Sequence, residues 1–290
     1  MNKVFSIENP MPPQWMMYPH IHPYSIGWRM GYGEGYKWDF RDWWNTLSKD
    51  ERERYQANFP EPSIWRGYYA EGKDDYSHHE GFYHEGIDFW RKNGEPKYSL
   101  EWLLDQDTYT DFVCFWHCGD INHEPACCFS QWQYSEFEVE TSKFSCAEQY
   151  MMAAKAKAFE DRATEKEIME TSDPRQMKLL GRKVANFSES TWDKIKYSVV
   201  LNGNYYKFAQ NKKMREILLS TGDKIIVEAS PLDTIWGIGY VANRPEVKDP
   251  KYWRGHNLLG FALMEVRDEI MRVYQNYDKI DWEQVEGVTR

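Results

Sequence analysis

Ser145-Cys146-Ala147-Glu148-Gln149-Tyr150-Met151-Met152-Ala153-Ala154-Lys155-Ala156-Lys157-Ala158-Phe159 reads as one buried helix. Ala and Met dominate it, and both enter a helix at little cost. Ser145 fits the N-cap, and Glu148 stands three residues on, where a capping-box acid belongs. Lys155 follows Glu148 by seven residues, two turns less about 20°, so both groups project from one face. Met151 and Met152 lie between them. A carboxylate and an amine on an apolar face lose water, and burial perturbs the proton affinity of each. Such pairs mark candidate sites. The plain alternatives are a capping acid and a surface ion pair.

The elements on either side set the fold class. Residues 111–117, Asp-Phe-Val-Cys-Phe-Trp-His, form an apolar strand, and a second extended stretch covers 129–139. Helices are expected at about 164–171, 174–180, 190–210 and 212–221, a strand at 224–229, and an amphipathic helix at 258–276. The expected fold is therefore α+β, mainly helical with a small sheet, over residues 111–275, with a tail at 276–290. Residues 1–110 differ in composition. They are rich in Trp, Tyr, Gly and Pro, with turn signals such as Glu8-Asn9-Pro10-Met11-Pro12-Pro13 and Gly31-Tyr32-Gly33-Glu34-Gly35. Within this aromatic-rich N-terminal extension a helix is expected from about Asp39, its N-cap, to Ala57, and a second at about 86–92. Eight of the fourteen Trp precede residue 103. Exposed rings would stack on bases, but core packing is the better expectation.

Composition narrows the function classes. The chain has 290 residues, enough for a sizeable core. No apolar run nears the roughly 18 residues that suggest a bilayer span, and the N-terminus lacks the apolar region of a secretory signal. A cytoplasmic protein with no membrane partner is expected. Net charge is −10, which disfavours general nucleic-acid binding. Residues 175–215 reverse that balance locally, with ten basic residues against Glu189 and Asp193, a net +8. The segment reads as solvated helix faces or as a surface that receives phosphate. Cys114, Cys118, His123, Cys127 and Cys128 contain zinc-type ligands, but on a strand Cys114 and Cys118 would stand about 13 Å apart. Buried free thiols are expected instead. His20-Ile21-His22 and Ser77-His78-His79-Glu80 lack the spacing that puts two rings on one helix face. No metal and no cofactor is implied.

Two further segments bear polar chemistry. In Asp173-Pro174-Arg175-Gln176-Met177-Lys178-Leu179-Leu180-Gly181-Arg182, Pro174 opens a helix, Gly181 closes it, and Arg182 leaves its end as a candidate phosphate clamp. In Glu228-Ala229-Ser230-Pro231-Leu232-Asp233-Thr234-Ile235-Trp236-Gly237-Ile238-Gly239, a strand ends in a loop with an acid, a flat ring and glycines that allow close backbone approach. Asp233 can hold ribose hydroxyls or polarise water.

Taken in order with Trp192, Lys207-Phe208-Ala209-Gln210-Asn211, Thr221-Gly222-Asp223, Asn257-Leu258-Leu259-Gly260, Leu263-Met264 and Arg267, these segments closely resemble the NADAR, or YbiA-like, family over about residues 112–275. The resemblance implies a compact, mainly helical α+β domain and N-glycosidase chemistry. Some members act on phosphoribosyl intermediates of riboflavin synthesis. Others remove ADP-ribose from guanine in nucleic acid, in some cases as antitoxins paired with a toxin. On the family pattern Glu148 and Asp233 are the catalytic carboxylates and Lys155 lies near the anomeric carbon. Arg182 and Trp236 contact phosphate and a ring or ribose, and Trp192, Gly237, Ser130 and Asn257 join the substrate-binding set. Ser130-Gln131-Trp132 departs from the Ser-Asn-Phe of many members.

Three functions follow as alternatives: removal of ADP-ribose from guanine in nucleic acid, cleavage of riboflavin intermediates, and a non-catalytic ADP-ribose or NAD-binding module. Two carboxylates suit a bond cleavage that passes through an oxocarbenium-like state. Lys155 adds a Schiff-base variant. Oligomeric state is left open by the sequence.

Overall fold

The structure, a computed structural model, describes residues 5–70, 83–84, 87–106 and 111–286. In chain order its elements begin with α1 (Gln14–Met17), α2 (Tyr32–Thr46), α3 (Lys49–Asn58), β1 (Tyr83–His84), β2 (Ile87–Asp88), α4 (Leu100–Leu104) and β3 (Phe112–Phe115). There follow β4 (Phe137–Val139), β5 (Ser142–Phe144), α5 (Ala147–Ala158), α6 (Arg162–Glu170), α7 (Pro174–Gly181), α8 (Glu189–Gln210) and α9 (Lys212–Ser220). The last are β6 (Ile225–Glu228), α10 (Leu258–Tyr274) and α11 (Trp282–Glu286). The mainly helical α+β class is as expected. The sheet content is three two-stranded pairs among the described residues, one of them β3 parallel to β6 with Phe112 opposite Ile225 and Phe115 opposite Glu228.

The chain folds as two units. One takes Met1–His78, Val139–Thr141 and Glu269–Arg290; the other takes His79–Glu138 and Ser142–Asp268. In the first unit many of the aromatic residues are core, with Tyr32 and Trp38 exposed. Tyr55 and Phe59 are buried with ring centres 4.8 Å apart, and Trp15 packs 5.6 Å from Trp65. Some polar ends are satisfied by main chain: the Tyr55 hydroxyl donates to Met11 O at 2.7 Å. Glu61 accepts from Gly67 N at 2.6 Å and Tyr69 N at 3.1 Å. His20 and His22 are engaged locally, by the Tyr32 hydroxyl and by Tyr24 N. The single helix expected over 39–57 is two, because Ser48 caps α3 in a capping box with Glu51, and Asp39 lies inside α2. The Ser77–Glu80 cluster lies outside the described residues.

In the second unit α8 is the spine. Every residue from Tyr197 to Ala209 is buried, as for a helix surrounded by protein. Truncating a ring such as Phe208 in such a core costs about 3–5 kcal/mol. Helix α5 packs on α6, α7 and α8. The contact with α7 depends on Gly181, where a Cβ would stand 2.0 Å from Met152 Sδ. Gly181 is thus the last residue of the helix, selected for close approach, and Arg182 takes the C-cap position. Two other expectations fail. Residues 87–92 hold β2 and the start of a 3-10 turn, not a helix, and only Phe137–Val139 of the stretch 129–139 is strand, after a 3-10 turn over Pro125–Phe129. Residues 87–106, counted with the extension by composition, are built into this second unit: Trp90 Nε1 donates to Asn202 Oδ1 at 2.9 Å, and Arg91 Nη2 donates to Glu265 Oε2 at 3.0 Å.

Candidate active site

The cap of α5 differs from the sequence expectation in a way that frees Glu148. The N-cap is Cys146, with no side-chain bond. Gln149 does the capping, its Oε1 accepting from Ser145 N at 2.7 Å and from Ser145 Oγ at 3.0 Å, while its Nε2 donates to Ile168 O at 3.0 Å. Glu148 therefore turns away from the helix end. It is buried, and its own N–H donates to Gln131 O at 2.9 Å, which fastens α5 to the loop carrying Trp132.

Burial pushes the Glu148 carboxyl up to about 7. The Lys178 ammonium, a hydrogen bond from the Trp132 side chain and Arg182 all oppose that rise, while the negative charge of Asp233 adds to it. Glu148 and Asp233, 85 positions apart by numbering, are thus electrostatic neighbours. Asp233 Oδ1 accepts from Trp236 N at 2.8 Å and Ile235 N at 3.0 Å, which holds it as the hinge of a tight turn. Its Oδ2 lies 4.0 Å from Lys178 Nζ.

Glu228, the last residue of β6, completes the group. Its Oε2 is sealed from solvent and has no hydrogen-bond partner among the described residues. Burial, then the charge of Asp233, push its carboxyl up to about 8, and Glu148 adds to the rise against Lys178. The turn of Asp233 is folded directly on Glu228: a Cβ on Gly237 would stand 2.8 Å from Glu228 O and 3.1 Å from Asp233 O. Glycine is required there by space.

The remaining expected residues fall into three groups. Arg182, exposed, acts on Glu148 by charge, and Trp236 is half-buried beside the Asp233 turn. Ser130 and Asn257 are buried and committed to protein. Ser130 O accepts from Lys207 Nζ at 3.0 Å, and Ser130 Oγ accepts from Trp132 N at 3.3 Å. The Asn257 amide accepts from Glu228 N at 3.0 Å and donates to Ile226 O at 2.9 Å, so its place is to position β6. Lys155 and Trp192 form a separate corner, where Lys155 Nζ lies 4.1 Å from the Phe187 ring centre and 5.6 Å from that of Trp192. Burial lowers the proton affinity of Lys155. The face joining it to Glu148 is apolar, as expected, with Met151 and Met152 buried.

Sequence reasoning passed over four residues. Glu228 closes an apolar strand, Ile225-Ile226-Val227, and an acid at that place is itself a signal of a buried charge. Lys178 stands three residues after Arg175 and four before Arg182, on one helix face. Trp132 was hidden in a departure from the family pattern. Lys207 is fully buried, and burial lowers it to about 8 against the opposing influence of Cys128, Cys146 and Cys127. Its bond to Ser130 O pins the loop that ends in Trp132. All five cysteines are free; Cys127, Cys128 and Cys146 are buried, but Cys114 is half-buried and Cys118 exposed, against the burial expected of the cluster, because they lie at the end of β3 and in the loop after it.

Residues 114–271 match the NADAR domain, and the chain belongs to the NADAR family. Among its relatives is the N-glycosidase R617 of Acanthamoeba polyphaga mimivirus, 44% identical over 165 residues, which are 55% of this chain and 97% of that protein. Protein irg-1 of Caenorhabditis elegans is 37% identical over 183 residues, 58% of this chain and 83% of its own. The NMR structure of the Escherichia coli protein YbiA aligns at 24% identity and a TM-score of 0.46, covering 58% of this chain and 89% of that one. No helix among the described residues is long and apolar enough to cross a membrane.

Proposed function

We propose that the chain is an N-glycosidase that removes ADP-ribose from guanine in nucleic acid, without a metal or other cofactor. The observation that supports it best is the convergence of Glu148, Asp233 and Glu228 beside Lys178 and Arg182. Breaking a ribosyl C–N bond leaves positive charge on the sugar and requires a proton on the departing nitrogen. Asp233, fixed by two main-chain N–H groups, faces the sugar charge. Glu228, which keeps its proton to about pH 8, delivers that proton to the leaving nitrogen. Glu148, half-ionised near 7, takes a proton from the water that attacks C1. Arg182 and Lys178 offer cationic groups to the pyrophosphate. The C1–N bond breaks, the hydroxyl of water joins C1, and a proton takes the place of the sugar on the base nitrogen.

A second route is favoured by one observation, the lowered proton affinity of Lys155. A less protonated amine is a nucleophile. After ring opening it would attack C1, expel the base and leave an imine that water hydrolyses. Borohydride trapping at Lys155 supports this route, and a fully active Lys155→Ala protein excludes it.

The deciding experiment incubates the protein with an oligonucleotide bearing guanine-linked ADP-ribose. Release of free ADP-ribose, lost in Glu148→Gln and Asp233→Asn, is expected. No release, together with turnover of a phosphoribosyl riboflavin intermediate, would reassign the substrate. A pure ADP-ribose-binding module would turn over neither. A toxin partner, the antitoxin form of the same reading, would reveal itself by rescue of cells expressing a guanine-modifying toxin.

A further inference from the structure

Beside the carboxylates lies an open cleft of about 500 Å³ within the second unit. Trp132, Gln133, Tyr134, Cys118, Asp173 and Arg175 are among its lining residues. Its size falls in the range of roughly 300–1,000 Å³ that holds small organic ligands. The cleft adjoins the reaction centre through one shared residue, because Trp132 both lines it and hydrogen-bonds Glu148. Tyr134 stands at its rim with 66% of its surface exposed, an unusual degree for a large ring in a unit that buries most of its aromatics. Its hydroxyl donates to Glu136 at 3.2 Å, which steadies the ring without covering it.

A cationic row links the cleft to the carboxylates. Arg175 lines the cleft, Lys178 stands 4.0 Å from Asp233, and Arg182 acts on Glu148. Spacings of three and four residues put the three on one face of α7 and its C-cap. The Arg175 guanidinium is exposed and has no ion-pair partner among the described residues. Aromatic faces beside a row of basic groups are the equipment of single-strand nucleic-acid grooves, where bases stack and phosphates follow the charge. A strand, unlike a free ribosyl metabolite, continues past the reacting base and has a further nucleotide to place in such a cleft.

We propose that this cleft holds the nucleotide that adjoins the modified base in a single strand, its base on Tyr134 and Trp132 and its phosphate at Arg175. The proposal rests on the nucleic-acid reading given above and specifies it: the substrate is a strand, and a modified mononucleotide is a poorer one.

The test compares two substrates, a short single-stranded oligonucleotide with one guanine-linked ADP-ribose and the corresponding modified guanosine monophosphate. Tyr134→Ala and Arg175→Ala are both made in the full chain; neither residue belongs to the carboxylate group. Expected is a rise in KM of about tenfold on the oligonucleotide with kcat kept, the size of one lost stacking contact, and no change on the mononucleotide. Arg175→Ala should also flatten the plot of log affinity against log salt by about 0.7, one phosphate contact on a single strand. Equal effects on both substrates, or none on either, would overturn the proposal. If the wild-type protein releases ADP-ribose from neither substrate, the proposed activity fails and a second measurement decides the cleft. Fluorescence anisotropy of an unmodified labelled oligonucleotide should then show binding that both variants weaken. Absence of binding, or binding indifferent to both substitutions, would overturn the cleft assignment as well.

Discussion

Glu265 on α10 and Glu228 at the end of β6 are both acids taken into the second unit, and burial raises the proton affinity of each. Their surroundings differ. Glu265 accepts from the Tyr197 hydroxyl at 2.8 Å, from Arg91 Nη2 at 3.0 Å and from Lys97 N. Glu228 has an oxygen sealed from water with no donor among the described residues, and its nearby charges include two more carboxylates. A saturated buried acid holds elements together. An unsaturated one stores a cost of about 1–3 kcal/mol that a ligand or a proton can relieve. One region is finished by folding, and the other keeps an acid without its full set of donors among the described residues.

The sharpest way to break this contrast is at Glu148. Glu148→Gln should lower kcat by about a thousandfold, with little loss of thermal stability, because it removes an acid whose burial already costs stability. Unchanged turnover under saturating substrate would place the chemistry elsewhere.

Glu228→Gln comes next, with a fall of about a hundredfold and a change in pH behaviour. The proposed roles need Glu148 ionised and Glu228 protonated, so activity should rise through about 7 and fall above about 8. The residual activity of Glu228→Gln should lose the alkaline fall. The stability sign follows from linkage. Glu228 is held above its ordinary value of 4.5, so the native state binds more protons than the unfolded state between 4.5 and about 8. Its contribution is full below that window and is lost as pH rises through it. Chemical denaturation should find Glu228→Gln less sensitive than wild type to pH across that window. An unchanged pH profile would remove Glu228 from the mechanism.

Glu265→Ala tests the other side. It strands the Tyr197 hydroxyl and the Lys97 N–H, and should cost about 2–3 kcal/mol, a drop in Tm of roughly 5–10 °C for a unit of this size. Activity per folded molecule should persist. Loss of activity without loss of stability would erase the distinction between the two acids. The smallest effect is expected from Lys178→Met. Its charge lowers both Glu148 and Glu228, so its removal should move the whole activity profile to higher pH, with a few-fold loss at pH 7. A shift in the opposite direction would show that Lys178 does not act on these acids.

The same contrast explains what could be read beforehand. Helix periodicity marks Glu148 as a candidate and a glycine-flanked turn marks Asp233, while their pairing comes only from the family resemblance. The cap of α5 was misassigned because Glu148 and Gln149 are both fit to close it, and only the carbonyls of Ile168 and Thr171 that receive the Gln149 amide select Gln149. Glu228 and Lys207 carry no periodic signal, since a polar residue in an apolar run is explained only by partners distant in sequence. The role of residues 87–106 was hidden for the same reason. Their composition resembles the preceding segment, while their partners, Asn202, Glu265 and Asp268, lie far downstream.

Asn257 leaves a wider consequence. Its amide occupies the edge of β6 as a neighbouring strand would, and its N–H donates to Gly237 O at 3.2 Å. One side chain therefore sets where the excursion from Ala229 to His256 returns. The chain between Gly239 and Arg254 is anchored in its own right, with Val247 and Trp253 buried and Trp253 Nε1 donating to Val247 O at 3.1 Å. Loss of that one amide would loosen at once the strand that ends in Glu228 and the segment that carries Asp233.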